Sequence, residues 1–126
     1  MRIEHVAIWT KDLEQLMEFY ETYFQASAGP KYNNTTKQFE STFLTFDEGI
    51  RLELMQMPTV MVSPEDEFVG YSHLAISIGS KEEVDNLTAR LQEDGYRVID
   101  GARWTGDGYY ESRVLDCDGN QIELTI

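Results

Sequence analysis

Two histidines and two glutamates stand out by type and by spacing. His5 precedes Glu53 by 48 residues and His73 precedes Glu123 by 50, and the chain has no other histidine. Glu53 follows Gly49 by four places, as Glu123 follows Gly119 by four. Around each position apolar and polar residues alternate at strand period: Leu52 and Leu54 flank Glu53, Ile122 and Leu124 flank Glu123, and His5 and His73 sit in similar runs. Singly, each has an ordinary explanation. A mid-strand carboxylate is usually solvated on a half-buried sheet, and a strand histidine usually finds a hydrogen-bond partner. As a duplicated set they offer two imidazoles and two carboxylates, borderline and hard donors suited to a divalent first-row metal, with water filling positions left open for substrate.

The elements that must position these four repeat in the same order. Residues 3–9 alternate as a strand, with His5 and Trp9 on one phase and Val6 and Ile8 on the other. Thr10 offers an N-cap for a helix to about Gln25, whose stripe of Leu13, Leu16, Met17, Tyr20, Tyr23 and Phe24 reads as core packing. Residues 27–36 have the composition of a loop, 39–46 of a strand, and Gly49 turns the chain into a strand over 50–57. Residues 58–70, with Pro58, Pro64 and the acidic Glu65-Asp66-Glu67, read as a linker. The plan then restarts. Residues 71–78 alternate, Ser80 to Glu83 form a capping box, and Val84, Leu87 and Leu91 mark the inner face of a helix closed by Gly95. A short strand at Val98 and Ile99, a polar loop over 100–108, a strand over 109–115, a tight Asp118-Gly119-Asn120 turn and a last strand complete the chain.

Each half is thus a βαβββ unit, and the expected class is α+β: two tandem modules, 1–57 and 71–126, forming a cleft-shaped mixed sheet with the helices outside. If each helix covers the apolar phase of its sheet, then His5, Glu53, His73 and Glu123 all lie on the opposite phase.

A chain of 126 residues suffices for one domain with a real core. Its net charge of −13, from 10 basic and 23 acidic residues, repels phosphate backbones and anionic membrane surfaces, so neither nucleic acid nor a membrane is an expected partner. Neither a signal peptide nor a transmembrane segment is evident, and the cytoplasm is the expected location. The single Cys117 excludes an internal disulfide, and the flanking Asp116 and Asp118 disfavour the thiolate it would need as a nucleophile.

Four short segments in order carry a resemblance to a known family: Ile3-Glu4-His5-Val6-Ala7-Ile8, Arg51-Leu52-Glu53-Leu54, Ser72-His73-Leu74-Ala75-Ile76 and Asp118-Gly119-Asn120-Gln121-Ile122-Glu123-Leu124. Over nearly its whole length the chain resembles the vicinal oxygen chelate superfamily, which holds glyoxalase I, extradiol dioxygenases, fosfomycin resistance proteins, methylmalonyl-CoA epimerase and bleomycin-binding proteins. The His-Glu-His-Glu set is similar to the glyoxalase I pattern. That resemblance implies a metal held by His5, Glu53, His73 and Glu123, nickel or zinc first and cobalt or manganese next. It implies a lyase or isomerase acting on a small substrate that chelates the metal through vicinal oxygens, with Glu123 as the proton-transferring base and Glu53 second. The alternatives are a binding or resistance protein without turnover, and an Fe(II) extradiol-type dioxygenase, in which Glu53 would occupy a position needed by oxygen or substrate. Trp9 and Met57 stand where glutathione-using members carry arginine and asparagine, so the resemblance does not extend to those residues. Short members of the superfamily are usually homodimers, and pairing the exposed edges of two modules across a two-fold axis would place shared sites at the interface.

Overall fold

A computed structural model describes residues 1–63 and 69–126. The chain divides into two compact units, Met1–Val62 and Ser63–Ile126, each with one helix against one mixed sheet. This is the α+β class with two tandem modules that the repeat predicts. Part of the expected linker, with Pro64 and Glu65-Asp66-Glu67, lies outside the described residues.

Unit 1 runs β1 (His5–Thr10), α1 (Leu13–Phe24), β2 (Ser27–Ala28), β3 (Tyr32–Asn34), β4 (Phe39–Thr45) and β5 (Arg51–Gln56). The last strand lies inside the sheet: β5 pairs parallel with β1 and antiparallel with β4, and β4 carries β2 and β3 on its far edge. Leu52 and Leu54 are fully buried with Leu44 beneath α1, whose Leu13, Leu16, Phe19 and Tyr20 supply the covering layer. Burying each such side chain contributes about 1.5–3 kcal/mol, so the apolar phase of β5 is fixed toward the helix and Arg51, Glu53 and Met55 must take the other face.

Unit 2 repeats the plan with β6 (His73–Ser77), α2 (Lys81–Glu93), β7 (Val98–Trp104), β8 (Tyr110–Leu115) and β9 (Gln121–Thr125) in the order β6-β9-β8-β7. Again the last strand is internal and pairs parallel with the first. Ile122, Leu124 and Val114 are fully buried on the side of α2, as are Val84 and Leu91. Thr88 takes an inward place as well: its hydroxyl donates to the Val84 carbonyl at 2.6 Å and lies 2.6 Å from the Ser112 hydroxyl, so a polar pair is buried with its hydrogen bonds made.

Several local expectations are corrected. The N-cap of α1 is Asp12, which accepts the Gln15 N–H at 3.0 Å, whereas the Thr10 hydroxyl accepts the Asp12 N–H one turn earlier. Both residue types can cap, and the Gln56 side-chain oxygen, which accepts the Leu13 N–H at 2.8 Å, favours the later start. The stretch 27–36 holds two short strands, because β4 offers an edge with which they pair. The strand at Val98 continues to Trp104, with register shifts between Val98 and Asp100 and between Asp100 and Arg103 that absorb the residues breaking its alternation. Leu87 is only half-buried. Tyr110 lies on the helix side of its sheet, with its hydroxyl 2.5 Å from Asp85.

The turns feeding the two internal strands both require positive φ, at Gly49 (97°) and Gly119 (87°), where a side chain would strain the backbone. Asp116 holds the second turn, accepting N–H groups of Asp118 at 3.0 Å and Asn120 at 2.8 Å and the Asn120 side-chain amide at 2.8 Å. Burial raises its pKa above the ordinary value, although those bonds favour the charged form. The folded state therefore binds this proton more tightly than the unfolded one, and the stabilisation present at low pH is lost as pH rises through the raised value. Asp116→Ala should cost about 1–3 kcal/mol by urea denaturation at neutral pH, because buried donors lose their acceptor. Asp116→Asn should cost less there and should flatten the gain in stability on acidification.

Candidate metal centre

Strand pairing brings the candidate donors together two by two. In unit 1, His5 is opposite Arg51 and Ala7 opposite Glu53, so His5 and Glu53 are diagonal neighbours on one face. In unit 2, His73 is opposite Gln121 and Ala75 opposite Glu123, which is the same relation. His5 Nε2 lies 3.6 Å from Glu53 Oε2, and His73 Nε2 lies 3.5 Å from Glu123 Oε2. Exposure matches as well: the side chains of Glu53 and Glu123 are 17% and 16% exposed, those of His5 and His73 39% and 37%. All four lie on the face turned away from their unit's helix.

These separations are long for hydrogen bonds. They are close to the spacing of adjacent donors around one cation, each at about 2.0–2.2 Å from it. An imidazole nitrogen and a carboxylate oxygen held side by side are therefore a fitting half-set for a divalent ion. Within either unit, among the described residues, no third His, Cys, Asp or Glu joins the pair to make a group of three or more metal donors.

The surroundings of the two pairs differ. Beside the first, His5 Nδ1 lies 2.5 Å from Glu4 Oε2, and Arg51 bonds Glu4 through Nε at 2.8 Å and through its terminal nitrogen. The His5 bond, and after it the Arg51 bond, hold the Glu4 carboxyl below its ordinary pKa. Phe43, opposite Glu53, presents its ring at 89° to His5 with centroids 5.3 Å apart, and the Arg51 guanidinium sits 4.1 Å over the same ring. Beside the second pair, Arg113 is opposite Glu123 and lies 3.3 Å from Asp100, which is also 2.5 Å from Arg103. Arg103 in turn lies 3.7 Å from Glu111. Burial first, and then the charge of nearby Glu123, raise the pKa of Glu111. Arg51, Arg103 and Arg113 are thus each engaged by a carboxylate. Sequence reasoning missed Glu4, Asp100 and Glu111. The adjacency of Glu4 to His5 was a visible signal, whereas the closeness of Glu111 to Glu123 depends on antiparallel register.

Trp9 shares the strand phase of His5 and is 42% exposed, with Phe39 edge-on at 6.1 Å. Trp104 and Tyr109 are exposed in unit 2. Among the described residues, no helix is long and apolar enough to cross a membrane.

Comparison with known proteins gives a consistent picture. The Glyoxalase/Bleomycin resistance protein/Dioxygenase superfamily model matches residues 2–124. The chain is 28% identical to the uncharacterized protein YqjT of Bacillus subtilis (strain 168), covering 97% of this chain and 96% of that one. It is 30% identical to catechol-2,3-dioxygenase of the same organism, over 97% of this chain but only 40% of the dioxygenase. Among solved structures, the trypanothione-dependent glyoxalase I of Leishmania major superposes with a TM-score of 0.79 at 24% identity, covering 99% of this chain and 86% of that one.

The Glu111–Glu123 contact is open to direct measurement in metal-free protein. Glu123→Gln should lower the Glu111 pKa, read from carboxyl carbon shifts in an NMR titration. A part of the elevation should remain, since burial is its first cause.

Proposed function

Because the chain belongs to the Glyoxalase/Bleomycin resistance protein/Dioxygenase superfamily, we propose that it is a metal-dependent lyase or isomerase of the glyoxalase type, acting by proton transfer on a small substrate with vicinal oxygens. One observation carries this reading: two equivalent His/Glu pairs, His5 with Glu53 and His73 with Glu123, stand at equivalent register in the two units at 3.6 and 3.5 Å. In this reading residues 1–126 form one glyoxalase-like domain of two modules, 1–57 and 71–126, joined by 58–70. The four side chains would together hold a divalent ion, nickel or zinc first and cobalt or manganese next. Once bound, such an ion supplies Lewis acidity that stabilises negative charge developing on a substrate oxygen.

The remaining steps belong to the chain's own residues. Glu123 removes a proton from a carbon next to the carbonyl and returns it to the neighbouring carbon. Nearby Glu111, which burial and then the charge of Glu123 hold above its ordinary pKa, supports giving it this role. The register position equivalent to Glu111 in unit 1 is Ser41, so Glu53 lacks that partner and is the second choice. His5 and His73 would donate through Nε2, and Trp9, on the strand phase of His5, offers an apolar surface in unit 1. The protein is read as a cytoplasmic homodimer in which one chain's His5 and Glu53 complete a site with the other's His73 and Glu123.

A second reading, extradiol cleavage by an Fe(II) form, is favoured by the 30% identity to catechol-2,3-dioxygenase. Loading the protein separately with nickel, zinc, cobalt, manganese and Fe(II), then assaying a panel of hemithioacetals and, with oxygen, catechols, separates the two. The expected result is metal-dependent turnover of a hemithioacetal, reduced about 10²–10⁴-fold in Glu123→Gln. Turnover of catechol by the Fe(II) form alone would replace this reading with the second. Metal uptake below about a tenth of an equivalent on titration would remove both.

Shared sites have their own test. His5→Ala and His73→Ala chains, each impaired alone, should regain part of their metal binding when mixed and refolded. A monomeric mass with no recovery would rule out sharing.

A further inference from the structure

The repeat that relates the two His/Glu pairs breaks at two positions beside them. Glu4 precedes His5, whereas Ser72 precedes His73. Arg51 is opposite His5, whereas Gln121 is opposite His73. Both differences bear on the first imidazole. Glu4 Oε2 lies 2.5 Å from His5 Nδ1, and Arg51 clasps the other Glu4 oxygen through two guanidinium nitrogens. Arg51 is itself seated 4.1 Å over the Phe43 ring, whose edge-to-face contact also limits rotation of the imidazole. An ionised carboxylate only accepts hydrogen bonds, so the nitrogen facing it must carry the proton. A neutral imidazole has one N–H, so Nε2 is left with its lone pair, and Nε2 is the nitrogen 3.6 Å from Glu53. Among the described residues, His73 has its 3.5 Å contact with Glu123 through Nε2 and no carboxylate at Nδ1.

We propose that Glu4, anchored by Arg51, is a positioning residue that locks His5 in the Nδ1–H tautomer and presents its Nε2 lone pair toward Glu53, while among the described residues His73 has no such lock. The two halves of the site are therefore unequal before any ligand arrives: at His5 the 2.5 Å contact at Nδ1 outweighs the 3.6 Å contact at Nε2, whereas among the described residues His73 faces a carboxylate only at Nε2, at 3.5 Å. A carboxylate on the far nitrogen of a ligating histidine fixes the ring and raises its basicity, and losing one typically lowers metal affinity about 10–100-fold. This consequence, unlike the tautomer itself, rests on the reading of His5 as a metal ligand.

With only two histidines in the chain, His73 is an internal reference. Imidazole nitrogen shifts and couplings should be recorded by NMR on metal-free protein, at a pH high enough for both rings to be neutral. Wild type should show His5 wholly as the Nδ1–H form and His73 with a clearly larger share of the Nε2–H form. Glu4→Ala, a change at an exposed side chain, should move His5 toward the Nε2–H form and leave His73 unchanged. Glu4→Gln, which keeps an acceptor oxygen, should fall between. Titration with zinc alone should then show a loss of about 10–100-fold in affinity for Glu4→Ala. A His5 ring in the Nε2–H form in wild type, or one unmoved by Glu4→Ala, would overturn the proposal. A tautomer shift without loss of zinc affinity would uphold the role of Glu4 and count against His5 as a metal ligand.

Discussion

The structure depends on the parallel pairing of the first and last strand of each unit. β1 beside β5, and β6 beside β9, set an imidazole and a carboxylate on diagonal positions of one sheet face. Parallel neighbours cannot be joined by a hairpin, so each unit needs a long crossover, which supplies the helix that covers the opposite face. The placement of the donors and the burial of Leu52, Leu54, Ile122 and Leu124 are therefore one constraint: sliding either strand by one residue would turn its carboxylate into the helix-packed core.

The same constraint explains what could be read in the sequence. Alternation at period two was visible around each donor, and helical periodicity with clear caps and glycine turns marked the rest of each unit. What was not visible depended on partners far along the chain. Residues 27–36 look like loop because their composition is loop-like, yet β4 gives them an edge to pair with. The segment after Val98 breaks alternation, yet bulges keep it on β8. At the candidate centre the four donors were found because the repeat presents them twice. Glu4 and Glu111 escaped notice because they occur once, and a feature present in one unit leaves no echo in the other.

This inequality gives the repeat its chemical interest. One pair sits beside an aromatic ring and a carboxylate already committed to an arginine; the other sits within a network of two arginines and two further carboxylates. Two donor pairs with the same backbone relation thus offer different charge environments, one partly apolar, the other crowded with ionic groups.

The central position of each last strand also governs when a unit can assemble. While β5 or β9 is missing, the first strand has no neighbour and the helix has only part of its floor, so a partly made unit has little to gain from ordering. The carboxylate arrives on that same strand. During synthesis, an imidazole meets its strand-paired glutamate only when the whole unit has closed around it, so an incomplete chain presents each histidine without that carboxylate.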